Sequence, residues 1–173
     1  MSRIEFDEFL RKEEEKKVPI IDWEARKDWW LEQIDILFAD IQNWLKDYTE
    51  SSKIGVELND YIIFEEVFGS YTVRQMKIKI SNKTVTLTPV GTILIGTRGR
   101  VDMKGNAKVI KFILADKNTT EPHISVVFSE ENKIVNPQVD LVWKITTNPP
   151  KIQYSELNEG SFLQCLVQVC NGY

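Results

Sequence analysis

Lys77, Lys79, Arg98, Arg100, Lys104 and Lys108 crowd a short stretch of the sequence, and their spacing suggests a shared task. Lys77 and Lys79 alternate with Ile78 and Ile80. Arg98, Arg100, Asp102 and Lys104 alternate with Val101 and Met103, and Thr84, Thr86 and Thr88 with Val85 and Leu87. Alternate side chains of an extended strand share one face. Neighbouring strands would therefore gather ammonium, guanidinium and hydroxyl donors on one side of a sheet, and all of these donate to phosphate oxygens. Gly96-Thr97-Arg98-Gly99-Arg100 adds a turn-forming stretch with two guanidinium groups, a candidate anion-binding turn. It lacks the Lys-Ser/Thr ending of a P-loop, so it does not point to nucleotide hydrolysis. The plainer reading is a solvated sheet face, or one covered by acidic segments of the same chain. Aromatic residues are sparse here, chiefly Tyr71 and Phe112, so base stacking is a poor match. Phosphate contacts would dominate, giving sequence-tolerant and salt-dependent binding.

Hydrolytic chemistry has fewer materials. His123 is the only histidine and opens an apolar run, which favours a structural role over a triad or a zinc cluster. Cys165 and Cys170 sit five apart on an expected helix, about 140° around it, which forbids a local disulfide. A divalent-metal nuclease can work with carboxylates and a lysine, and Glu65, Glu66, Asp102, Lys108 and Lys111 are the residues in strand contexts that could serve. The Glu-Asp-Lys order resembles that of a restriction-endonuclease-like core. It departs at Val109, two residues before Lys111, where that family carries Glu, Asp or Gln. The resemblance implies Glu66 and Asp102 as metal ligands and Lys111 as the group polarising water. An ion pair between Asp102 and its basic neighbours is the simpler reading. No resident metal or cofactor is expected.

Charge is partitioned along the chain. Residues 1–66 hold 9 Lys+Arg against 18 Asp+Glu, residues 67–120 hold 10 against 2, and residues 121–173 hold 3 against 6. Such asymmetry points to a charged partner, or to an acidic region folded across a basic one. At 173 residues with 42% hydrophobic composition, a single domain is expected over 1–173. No apolar run is long enough for a transmembrane helix, and the charged start lacks the apolar core of a secretory leader. With only 2 cysteines, the expected compartment is the reducing cytoplasm, with no membrane contact.

The elements that must position these residues are legible in outline. Ser2-Arg3-Ile4-Glu5 has the form of a capping box opening a helix to about Lys17. Asp22 reads as the N-cap of a long amphipathic helix reaching about Thr49, with Trp23, Trp30, Ile34, Leu37, Ile41, Trp44, Leu45 and Tyr48 on one stripe. Trp29 and Ile36 lie off that stripe, free to meet the first helix or a partner. From 54 to 147 the period becomes that of strands, expected at about 61–67, 71–80, 84–88, 92–95, 99–103, 107–114, 123–128 and 139–146. Asn82-Lys83 and Gly105-Asn106 read as two-residue turns, Pro89 as a strand end or edge, and a phase slip near Arg74-Gln75 as a bulge. A final helix over about 155–171, apolar on more than one side and stopped by Gly172, is expected to be substantially buried.

These readings combine into an α+β domain, an antiparallel meander packed by a long N-terminal helix and a C-terminal helix. The expected function is a non-enzymatic macromolecule-binding or regulatory subunit. Its basic sheet face would take nucleic acid or a carboxylate-rich partner. Its acidic helical region, with Trp29 and Glu13, Glu14 and Glu15, would contact protein. The alternatives are the metal-dependent nuclease and an immunity- or antitoxin-like protein that binds a basic partner.

Overall fold

A computed structural model describes residues 3–15, 22–92, 97–122 and 140–171. Ser2, His123, Gly172, most of the strand expected at 92–95 and all of that expected at 123–128 lie outside them. Helix α1 (Arg3–Glu15) precedes α2 (Trp23–Trp44) and the short α3 (Lys46–Glu50). Seven strands follow: β1 (Gly55–Glu65), β2 (Gly69–Ile80), β3 (Lys83–Gly91), β4 (Arg100–Lys104), β5 (Val109–Asp116), β6 (Leu141–Thr146) and β7 (Tyr154–Glu156). Helix α4 (Glu159–Asn171) closes the chain. The strands pair antiparallel in sequence order, so the expected meander and its two packing helices are present.

Asp22 caps α2 as expected, its carboxylate accepting the Ala25 N–H at 3.0 Å. The long helix is interrupted, however, at Leu45 (φ −92°, ψ 0°). The break redirects the chain, and Tyr48 is exposed rather than part of the buried stripe. Phe38 joins the stripe instead. It stands four residues after Ile34 and three before Ile41, within the same helical face. Trp23 is only half-buried and meets Phe68 edge-on at 5.9 Å. Trp29 also packs against the core, while Ile36 stays exposed.

Helices α2 and α4 share one face of the sheet. Their Trp30, Ile34, Leu37, Phe38, Ile41, Phe162, Cys165, Leu166 and Val169 join Met76, Ile78, Val85, Leu87, Val101, Met103, Ile110 and Phe112 of the strands in one core. Phe162 is the hinge of this packing, with ring centroids 5.6 Å from Trp44 and 6.3 Å from Phe112. Reciprocal bonds cap α4: Asn158 Oδ1 accepts from Ser161 N–H, and Ser161 Oγ from Asn158 N–H. Among the apolar residues of α4, Phe162, Cys165, Leu166 and Val169 are buried, Leu163 and Cys170 pack partly buried against the core, and Val167 faces out. Gly99, just before β4, lies close against α2. A Cβ there would lie 2.3 Å from the Trp30 ring, so no larger residue fits without displacing it.

Several local expectations are corrected. The β2–β3 turn is Ser81–Asn82, since Ile80 pairs with Lys83 and Ser81 carries the positive φ of 54°. The β4–β5 connection has four residues, because Lys104 pairs with Val109. Pro89 stands inside a central strand, at the register shift between Pro89 and Gly91, where a ladder donor is not needed. No bulge interrupts β1–β2: Asn59 pairs with Gln75 and Asp60 with Arg74 in unbroken register. The burial phase nevertheless changes there in both strands, from Leu58 and Met76 to Ile63 and Val73. Beyond the reach of β3 the two strands form a ribbon, and two-stranded ribbons twist more strongly than wide sheets, so the pair turns over together. Strand β7 has no counterpart in the sequence reading.

Candidate functional site

Alternation places the expected donors where the helices are not. On β3, Val85 and Leu87 enter the core while Thr84, Thr86 and Thr88 point to the opposite face. Register then builds rows across that open face. Lys77, Thr86 and Lys104 stand side by side on β2, β3 and β4. The next row runs Thr88, Asp102, Lys111 and Thr146 across β3 to β6, with Gln75 Nε2 donating to Thr88 Oγ1 at 2.8 Å. Strand spacing of about 4.8 Å sets Lys77 and Lys104 roughly 10 Å apart with a hydroxyl between them.

The six basic candidates are not equivalent. Lys79 is tied to Glu57 at 2.6 Å, and that bond and charge hold the Glu57 carboxyl below its usual range. Arg100 grips Asp102 through two bonds, Nε to Oδ1 at 2.8 Å and Nη2 to Oδ2 at 3.3 Å. Lys77, Lys104 and Lys111 form no ion pair among the described residues. Arg98 is exposed in the segment before β4, off the rows, and its N–H donates to the Leu114 carbonyl. The Gly99 N–H donates to Thr97 Oγ1. The Arg98 and Gly99 donors of the candidate anion turn are thus already used, and Gly96 lies outside the described residues. Lys108 turns away from the open face, lining a cavity of about 490 Å³ with Ser161, Gln164 and Cys165 of α4.

The acidic helices do not close this face. Helix α2 lies on the opposite side of the sheet, and the described side chains of α1 are all exposed. Glu13, Glu14 and Glu15 belong to the last turn of α1, and their side chains lie outside the description.

The nuclease residues are brought together only in part. Asp102 and Lys111 are register partners, whereas Glu66 lies in the β1–β2 turn. Among the described residues, no group of three or more His, Cys, Asp or Glu side chains could hold a metal ion. Burial pushes the Cys165 thiol up to about 11, which suits a packed residue rather than a nucleophile.

Glu65, which the sequence offers only as one of the strand-context carboxylates, points inward. It accepts bonds from the Thr92 N–H (2.9 Å), the Thr92 hydroxyl (3.1 Å) and the Tyr71 hydroxyl. Burial, then this carboxylate, pushes the Tyr71 hydroxyl far up. Gly91, at φ +147°, leaves the space that the carboxylate occupies, since a Cβ there would lie 2.8 Å from Glu65 Cδ. The available signal was the two-residue spacing from Ile63, which puts both on one strand face.

The fold and this face define an α+β domain whose meander sheet is helix-covered on one side and presents donors on the other. Comparison with family models, with curated proteins and with solved structures returned no match. No helix among the described residues is long and apolar enough to cross a membrane.

Proposed function

We propose that this domain is a non-enzymatic binding module that holds a polyanionic macromolecule, nucleic acid foremost, against the open face of its sheet. The observation that carries the reading is the row Lys77–Thr86–Lys104, flanked by Lys111 and left uncovered by α2 and α4. Two lysines on strands about 10 Å apart, with a hydroxyl between them, suit successive anionic groups along an extended chain. Lys77, Lys104 and Lys111 are the leading contacts. Lys79 and Arg100 contribute less, because each already holds a carboxylate.

The test is fluorescence anisotropy with labelled duplex DNA, single-stranded DNA and RNA at graded salt, with and without magnesium. Binding that weakens steeply with salt and leaves the nucleic acid intact supports the reading. Absence of binding at low salt overturns it. Magnesium-dependent cleavage lost in Asp102→Asn would replace it with the nuclease reading.

A second reading, protein recognition, has an observation of its own. Ile4, Phe6, Phe9 and Leu10 of α1 are all exposed, so this helix buries little of its apolar side against its own chain. Co-purification of one protein that survives moderate salt and is lost on Phe6→Ser, Phe9→Ser substitution supports a partner on α1.

A further inference from the structure

The β1–β2 ribbon carries a surface that the polyanion reading does not use. Strand β1 is the edge of the sheet and pairs over 11 residues in unbroken register with β2. Among the described residues no strand pairs with its outer side, where alternate residues present backbone donors and acceptors. Edge strands are usually protected by brevity, proline, bulges or charged residues. β1 is long, without a bulge, proline or lysine; of its charges, Glu65 points inward and Glu57 is held by Lys79, which leaves Asp60 as the one beside Ile62 and Phe64.

The side chains beside this edge are apolar and unfilled. Ile62 and Phe64 share one face of the ribbon, each 69% exposed. Their neighbours on β2 are Thr72 and Ser70, too small and polar to cover them. The remaining flank of each residue is the open edge. Asp60 stands on the same face, two residues before Ile62 and beside Arg74 of β2, and Glu66 follows in the turn, all three exposed. No lysine or arginine occurs in 55–66, so a second copy of β1 laid antiparallel would set one acidic strand against another. A strand carrying lysine or arginine gains at the same positions.

We infer that β1 is a strand-addition site for an extended, basic peptide segment of a partner protein. Main-chain pairing along 55–65 would supply the register. Apolar side chains of the incoming strand would lie beside Ile62 and Phe64, at the roughly 5 Å of cross-strand neighbours, and a basic one beside Asp60. The site lies on the outer edge of the ribbon and is independent of the Lys77–Thr86–Lys104 row.

The probe is a blocked ten-residue valine–lysine peptide with valines at two successive same-face positions and a lysine at the next, so that Phe64, Ile62 and Asp60 can be met at once. Its control replaces every valine by proline, which keeps the charge but removes the capacity to pair as a strand. Binding is followed by anisotropy, and occupancy of the edge by amide hydrogen exchange across 55–65. The valine–lysine peptide is expected to bind and slow exchange in β1, while the control does neither. Ile62→Lys, Phe64→Lys should weaken binding at least tenfold, with nucleic-acid binding on the sheet face kept. Equal binding of both peptides, or unchanged exchange in β1, would overturn the proposal. So would slowed β1 exchange on dimerisation of the protein alone, since the occupant would then be a second copy.

Discussion

The two faces of the central sheet are made by the same strands and held by different physics. On the helix side, Phe112 and Phe162 are completely buried, and Val85, Leu87, Val101 and Met103 fill the space between. On the open side, the contacts are a Lys79–Glu57 pair, an Arg100–Asp102 pair and a Gln75–Thr88 bond, all at least partly in solvent. Burial of a large side chain stabilises by about 2–3 kcal/mol, whereas an exposed ion pair contributes about 0–1 kcal/mol. One face therefore carries the fold, and the other can be rewritten at little cost to it. That face keeps Lys77, Lys104 and Lys111 out of ion pairs among the described residues, and it is the face on which the proposed polyanion contact rests.

The largest expected effect is on the buried face. Phe162→Ala should cost about 3–5 kcal/mol, read as a fall in the urea midpoint, because two aromatic neighbours lose their partner at once. A loss under about 1 kcal/mol would mean that α4 is not integral to the core. Gly99→Ala comes next at about 1–3 kcal/mol, since its Cβ would meet the Trp30 ring at 2.3 Å. On the open face, Lys77→Ala with Lys104→Ala should change stability by no more than about 0.5 kcal/mol each. Arg98→Ala with Arg100→Ala should weaken polyanion binding less than that lysine pair does, as Arg100 is already engaged by Asp102. A larger loss from the arginine pair would move the site towards the segment before β4.

The smallest effect is a pH dependence. The Glu57 carboxyl is held low by the Lys79 bond and charge, so it titrates lower folded than unfolded. Its stabilisation is present above the unfolded value and is lost as pH falls through the folded one. Lys79→Met should remove that acid-side slope from urea midpoints measured between neutrality and the acid limb, with little change at neutral pH.

The sequence disclosed what depends on near neighbours. The Asp22 cap, the Thr84–Thr88 alternation and the order of hairpins all follow from residues within one turn or one strand of each other. The missed features depend on distant partners. Strand β7 spans three residues after two prolines, too short for alternation to register, and exists because Thr146 offers Tyr154 an edge. The change of face at Asn59 and Gln75 looked like a bulge when one strand was read alone, and only its occurrence in both strands shows a twisting ribbon. Likewise, the basic residues were legible as a face, but not which of them Glu57 and Asp102 would occupy. Lys111 entered the sequence reading only as a weak catalytic candidate. Register sets it opposite Asp102 on the open face, in the row next to Lys77–Thr86–Lys104.

The central claim is that free lysines on the open sheet face bind a polyanion. Its most direct test is the slope of log K against log salt for labelled duplex DNA, in the native chain and in Lys77→Ala, Lys104→Ala. Each neutralised phosphate contributes about −0.9, so three lysine contacts predict a slope of about −3, falling to about −1 in the variant. An unchanged slope, with the variant folded, would contradict the assignment of this face.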